Sequence, residues 1–107
     1  MNIWKKTSKS LGIVKAKKTI TISFETNNLP DNFKILEIKT SCTCTNARWD
    51  ENKKSILIDY KPKVTPEHIK SAFNRNEYTD TKNTTVKYEI DGVNYEQVLN
   101  FIANVHD

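Results

Sequence analysis

With 107 residues, 36% of them hydrophobic and 28% charged, the chain suits one domain that buries roughly two-thirds of its unfolded surface without a metal or disulfide staple. Two cysteines at i, i+2 are not the framework of a small disulfide-rich protein, and no run is apolar and long enough to span a membrane. The net charge of +4 conceals an asymmetry, since Lys5, Lys6, Lys9, Lys15, Lys17 and Lys18 all precede the first acid, Glu25.

The opening residues lack the apolar run of an export signal, so the sequence predicts synthesis in a reducing cytoplasm. Ile3 to Lys9 shows no sustained alternation, and residues 1–10 read as a basic arm outside a domain at residues 11–107. In that arm Trp4, Lys5, Lys6 and Lys9 are candidate partner-binding residues: lysines steer an encounter with an acidic surface and a tryptophan anchors it. From Val14 the residues Val14, Ala16, Ile20, Ile22 and Phe24 share one face, opposite Lys15, Lys17, Thr19, Thr21 and Ser23. This predicts a strand whose lysine-rich outer face protects a sheet edge. Turn formers from Asn27 to Asn32 separate it from the next run.

Phe33 to Trp49 alternates most clearly, with Leu36, Ile38, Thr40, Cys42 and Cys44 on one face, and predicts a half-buried strand with both thiols turned inward. After a polar turn at residues 50–54, Ser55 to Tyr60 is a strand with Ile56, Ile58 and Tyr60 on one side, stopped by Pro62. Thr65 as N-cap, Pro66 at the first position and Glu67 in the first turn predict one short helix from Pro66 to Phe73. The long connection from Pro62 to Asn83 is a second candidate contact surface. Asp91-Gly92 predicts a tight hairpin between Thr84–Ile90 and Val93–Val105. Its expected inward residues are Val86, Tyr88, Ile90, Val93, Tyr95, Leu99, Phe101 and Val105, with Gln97 and Ala103 in register.

Five or six strands, one short helix and no βαβ rhythm define an all-β antiparallel sandwich. Thr40-Ser41-Cys42-Thr43-Cys44-Thr45 followed by Trp49, with Ile35-Leu36 and Ile38 before it, resembles the bacterial immunoglobulin-like domains of unknown function whose central strand reads Ser-Cys-Gly-Cys-Thr. Leu11-Gly12-Ile13-Val14 is similar to their Phe-Gly-x-Val opening, and Ile22, Phe24 and Asn27 or Asn28 to their Phe-x-Phe-x-Asn strand. The resemblance spans Leu11 to Val105. It departs at Thr43, where glycine is usual, at Asp50 to Lys54, which replaces a Pro-Gly-Glu turn, and in the missing export signal. It implies an immunoglobulin-like sandwich and no enzymatic activity. Sandwiches of this shape also serve as accessory modules on the particles of bacterial viruses.

In a regular strand Cys42 and Cys44 have Cα atoms about 6.6 Å apart, and β-branched Thr43 resists the positive φ of a bulge, so both are expected as reduced, structural core thiols. His68 and His106 match no compact zinc spacing, the acids do not pair for hydrolysis, and Gly12 and Gly92 are too few for a phosphate loop. The expectation is therefore a non-enzymatic module without cofactor or metal, attached to other proteins of a larger assembly such as a phage capsid or virion, with no membrane partner. Two alternatives remain. One is nucleic-acid binding through the basic arm; the other is a cytoplasmic thiol-redox or metal-binding domain using Cys42 and Cys44.

Overall fold

Short alternating runs with one apolar face must stack against one another, and here they do so as two sheets. In a computed structural model describing residues 3–107, the strands are β1 (Ser8–Lys15), β2 (Ile20–Glu25), β3 (Phe33–Thr40), β4 (Thr45–Asp50), β5 (Ser55–Tyr60), β6 (Glu77–Ile90) and β7 (Val93–His106), with helix α1 (Glu67–Phe73) before β6. One sheet has the order β1-β7-β6-β3 and the other β2-β5-β4. With β3, β6 and β7 facing β2, β5 and β4 across one core, this is an all-β sandwich. All pairings are antiparallel except one, because β1 runs parallel to β7.

Phe24, Ile56, Ile58 and Tyr60 on one side meet Val86, Leu99, Phe101 and Val105 on the other, all fully buried. The Tyr60 and Phe101 rings sit edge to face with centroids 4.9 Å apart, a geometry favoured by the ring quadrupoles. The last hairpin follows its turn chemistry: Asp91 and Gly92 have φ of 52° and 79°, and Ile90 pairs with Val93, as a type I′ turn requires. Val93, expected inward, is exposed beside the turn.

The predicted strand through Ala16 is instead two strands in different sheets. Lys17 adopts φ of 66°. The amides of Ala16 and Lys17 donate to the carbonyls of His106 and Pro62, both at 2.8 Å, so the crossover is pinned to β7 and to the connection after β5. In β3 the register shifts between Ile35 and Glu37. This bulge inverts parity along the strand, so Phe33, Ile35 and Ile38 pack on the core while Leu36 faces water.

The cysteine run also departs from expectation. β3 ends at Thr40 and β4 begins at Thr45 in the other sheet, so Cys42 and Cys44 occupy a turn between the layers. There they form a disulfide with Cα atoms 5.3 Å apart, inside the range a disulfide needs. The expected pair of reduced, inward thiols on a strand is thereby overturned: the turn shortens the span, and Thr43 needs no positive φ.

The helix forms where expected, but Pro66 takes the cap position and no side chain caps it. Thr65, expected as N-cap, is buried and bonds Asp107 instead. β6 starts seven residues before the predicted Thr84, which shortens the long connection.

Candidate functional site

The basic arm was expected to stand apart from the fold, with Trp4 as an exposed anchor. Met1 and Asn2 lie outside the described residues; the rest of that segment is part of the sandwich. Trp4 is 3% exposed and Ile3 is equally buried. Trp4 bridges antiparallel to Thr26, and its ring meets Tyr88 edge-on with centroids 6.0 Å apart. The Asn27 amide donates to the Ile3 carbonyl at 2.6 Å and the Lys5 amide to Glu25 at 3.0 Å, which extends β2 by a further backbone ladder. A large apolar side chain with core available has more to gain inside than on a solvated arm, and this corrects the arm.

The expected lysines divide accordingly. Lys5 pairs with Glu25 at 3.0 Å, and that ammonium holds the Glu25 carboxyl below its usual range through a hydrogen bond and then through charge. Lys9 donates to the Ser23 carbonyl with its ammonium 5.4 Å from the Phe24 ring centroid, covering the gap between β1 and β2. Lys6 is exposed. Together with Glu25 the three lysines line a shallow cavity of about 240 Å³.

Cys42 and Cys44 are half-buried and line a second cleft of about 630 Å³, bounded by the connection from Lys63 to Lys70 and by Tyr78, Asp80 and Lys82 of β6. Its floor is a polar network inside the sandwich. The Tyr60 hydroxyl donates to Asp80, and the other Asp80 oxygen pairs with Lys82 at 3.1 Å. Burial, then the Asp80 carboxylate, push the Tyr60 phenol far above its usual range. Tyr78 donates to the Lys63 carbonyl at 2.7 Å and ties the connection to the sheet. Cys44 also borders a neighbouring cleft of about 560 Å³ with Lys17, Lys61 and Lys63. Asp80 and Lys82 went unnoticed in the sequence. Their signal was the period of two: read back from Val86, the inward face continues through Thr84, Lys82 and Asp80.

Asp107 closes one end of this region. One carboxylate oxygen accepts from the Thr65 amide at 2.7 Å and the Thr65 hydroxyl at 2.8 Å, and the other pairs with Lys70 at 2.9 Å. The Thr65 amide, then Lys70, hold the Asp107 carboxyl down from 3.8 to about 2. Its folded value lies below its unfolded one, so its stabilisation is complete above pH 3.8 and is lost as pH falls towards about 2. Across that window Asp107→Asn should show a shallower acid loss of stability than wild type, measured by urea midpoints. Parallel acid curves would mean that the carboxylate carries no part of it. His106 pairs with Glu77 at 3.1 Å and His68 is exposed on α1, and neither histidine lines the clefts beside the disulfide.

A third feature is the outer face of the four-stranded sheet. Ile13, Val98 and Ile102 project from it, 74%, 43% and 42% exposed. Across the ladder Thr85 pairs with Val98, Thr81 and Ser10 with Ile102, and Asn83 with Asn100, so β6 and β7 carry no charge in the middle of the face, and Lys39 of β3 stands at its edge opposite Thr85. Charges return at both ends: Lys87 lies between Glu96 and Glu37 at one, and Glu77 and Lys15 flank His106 at the other.

Among the described residues these features define a seven-stranded, two-sheet β-sandwich with a Cys-x-Cys disulfide where the chain crosses between layers. Residues 2–105 match the family described as Protein of unknown function (DUF1573), and the chain belongs to that family. No curated protein and no solved structure matches it. Among the described residues no helix is long and apolar enough to cross a membrane.

Proposed function

We propose that this chain is a non-enzymatic interaction module that attaches to other proteins of a larger assembly through the outer face of its four-stranded sheet. The observation that carries the reading is the uncharged centre of that face, with Ile13, Val98 and Ile102 set among serine, threonine and asparagine. Removing the centre of that face from water costs little, because its β6 and β7 residues carry no ion to desolvate and Lys39, at the β3 edge, can stay on a solvated rim. The pattern of an uncharged centre with charges at both ends follows the anatomy of protein interfaces. A role as an accessory of a phage particle, a setting in which sandwiches of this shape also occur, would use this face once per copy and gain strength through repetition.

The test is sedimentation of the tagged chain from the cells that make it. Wild type should travel in a complex far larger than 12.4 kDa, whereas Ile102→Glu and Val98→Glu should travel alone with unchanged thermal midpoints. Wild type sedimenting as a free 12.4 kDa chain, or variants that stay in the complex, would overturn the proposal.

A further inference from the structure

The Cys42–Cys44 disulfide does little that a structural staple does. Its cysteines are two residues apart, so it restrains the unfolded chain only slightly. The turn that carries it is held independently. The Ser41 amide donates to the Asn83 carbonyl and the Lys61 amide to the Cys44 carbonyl, both at 3.0 Å, while the Thr45 hydroxyl donates to the Cys42 carbonyl at 3.0 Å. Opening the sulfur–sulfur bond breaks none of these. Both cysteines are half-buried, and Cys44 borders two clefts while Cys42 borders one.

We propose that this disulfide is a thiol–disulfide exchange site for small thiols that carry carboxylates. The charges around it set the preference. Lys82 and Lys70 are matched by Asp80 and Asp107, and Glu67 also borders the first cleft. Lys17, Lys61 and Lys63 form no ion pair among the described residues and line the second cleft beside Cys44. An anionic thiol is therefore drawn to the Cys44 side, and a cationic one is repelled.

The geometry also assigns the two sulfurs. Cys44 borders both clefts and takes the attack. The Cys44 amide donates to Cys42 Sγ at 3.2 Å, so Cys42 is the better leaving group, because a hydrogen bond to the charged form stabilises the departing thiolate. The incoming thiolate bonds to Cys44 Sγ as the sulfur–sulfur bond breaks, and the electron pair leaves on Cys42 Sγ, which then takes a proton. A second thiolate attacks the sulfur of the small thiol in the mixed disulfide and releases Cys44. Two small thiols are oxidised to their disulfide while the protein disulfide is reduced to two thiols.

The test uses reduced glutathione, whose two carboxylates outweigh its single ammonium, against cysteamine, which bears an ammonium and no carboxylate, on the folded full chain with free thiols counted over time. Per thiolate, glutathione should reduce the bond roughly tenfold faster, at the low end of electrostatic steering. The advantage should disappear at high salt and in Lys61→Gln/Lys63→Gln. The transient mixed disulfide with glutathione, trapped by acid and mapped by fragment mass, should sit on Cys44 and not on Cys42, and one found on Cys42 would overturn the assignment of the two sulfurs. The fully reduced protein should keep its thermal midpoint within a few degrees. Equal rates for the two thiols, a bond that resists reduction until the chain unfolds, or reduction that itself unfolds the chain would overturn the proposal.

Discussion

Trp4→Ala should destabilise the domain by about 3–5 kcal/mol, the usual cost of deleting a buried tryptophan. For a domain of ordinary stability, about 5–15 kcal/mol, that loss brings the unfolded chain within reach at moderate temperature. Trp4 is 3% exposed, so truncation loses its burial, leaves a void and removes the edge contact with Tyr88. It also weakens a backbone ladder, since the Asn27-to-Ile3 and Lys5-to-Glu25 hydrogen bonds hold the segment against β2. The exposed neighbour Lys6 is the control, and Lys6→Ala should stay within about 0.5 kcal/mol of wild type. Urea denaturation followed by circular dichroism measures both. A Trp4→Ala midpoint equal to wild type would restore the tryptophan to the role of an exterior anchor.

That residue also marks where the sequence stopped being legible. Alternation revealed β5 and the final hairpin, because Ile56, Ile58 and Tyr60 and the Asp91-Gly92 pair carry local signals strong enough to act without tertiary help, whereas the helix formed near its expected start although its expected cap, Thr65, is held by Asp107. Ile3 and Trp4 are adjacent, both buried and followed by lysines, so they match neither a period of two nor one of 3.6. Their place is decided by the open end of the core, which no local pattern describes. The break at Lys17 was hidden because a lysine with φ of 66° gives no glycine or proline warning. A bulge in β3 let Ile35 and Ile38 face the same way, although their spacing predicts opposite faces in a regular strand.

The candidate site was legible only in part, for the same reasons. Cys42 and Cys44 stood out by type, but strand parity extended β3 through them, and the separation of a regular strand argued against their bond. The turn from Ser41 to Cys44 removes that obstacle by changing sheets, a step dictated by Thr40 and Thr45 belonging to different layers. The lysines of the two clefts come from the β1–β2 crossover, the connection after β5, α1 and β6, and only the fold brings them together.

The polar network beneath the disulfide cleft gives the second large effect. The Asp80 carboxylate is 14% exposed, accepts from Tyr60 with one oxygen and pairs at 3.1 Å with Lys82, itself 21% exposed, with the other. Asp80→Ala leaves a fully buried phenol without that acceptor and a partly buried ammonium without its counter-charge. Each stranded group costs about 1–3 kcal/mol, and access of water to Lys82 keeps its share at the low end, so the expected loss is about 2–4 kcal/mol. Tyr60→Phe removes the donor and leaves Asp80 its lysine, and should cost about 1 kcal/mol, the net worth of one ordinary hydrogen bond. The double variant decides the matter. If the phenol is stranded in Asp80→Ala, adding Tyr60→Phe should recover about 1 kcal/mol or more, because groups that share a network are not additive. Urea midpoints of the four proteins supply the cycle. Additive losses would show that Tyr60 and Asp80 are energetically independent, and that the aspartate acts through Lys82 alone.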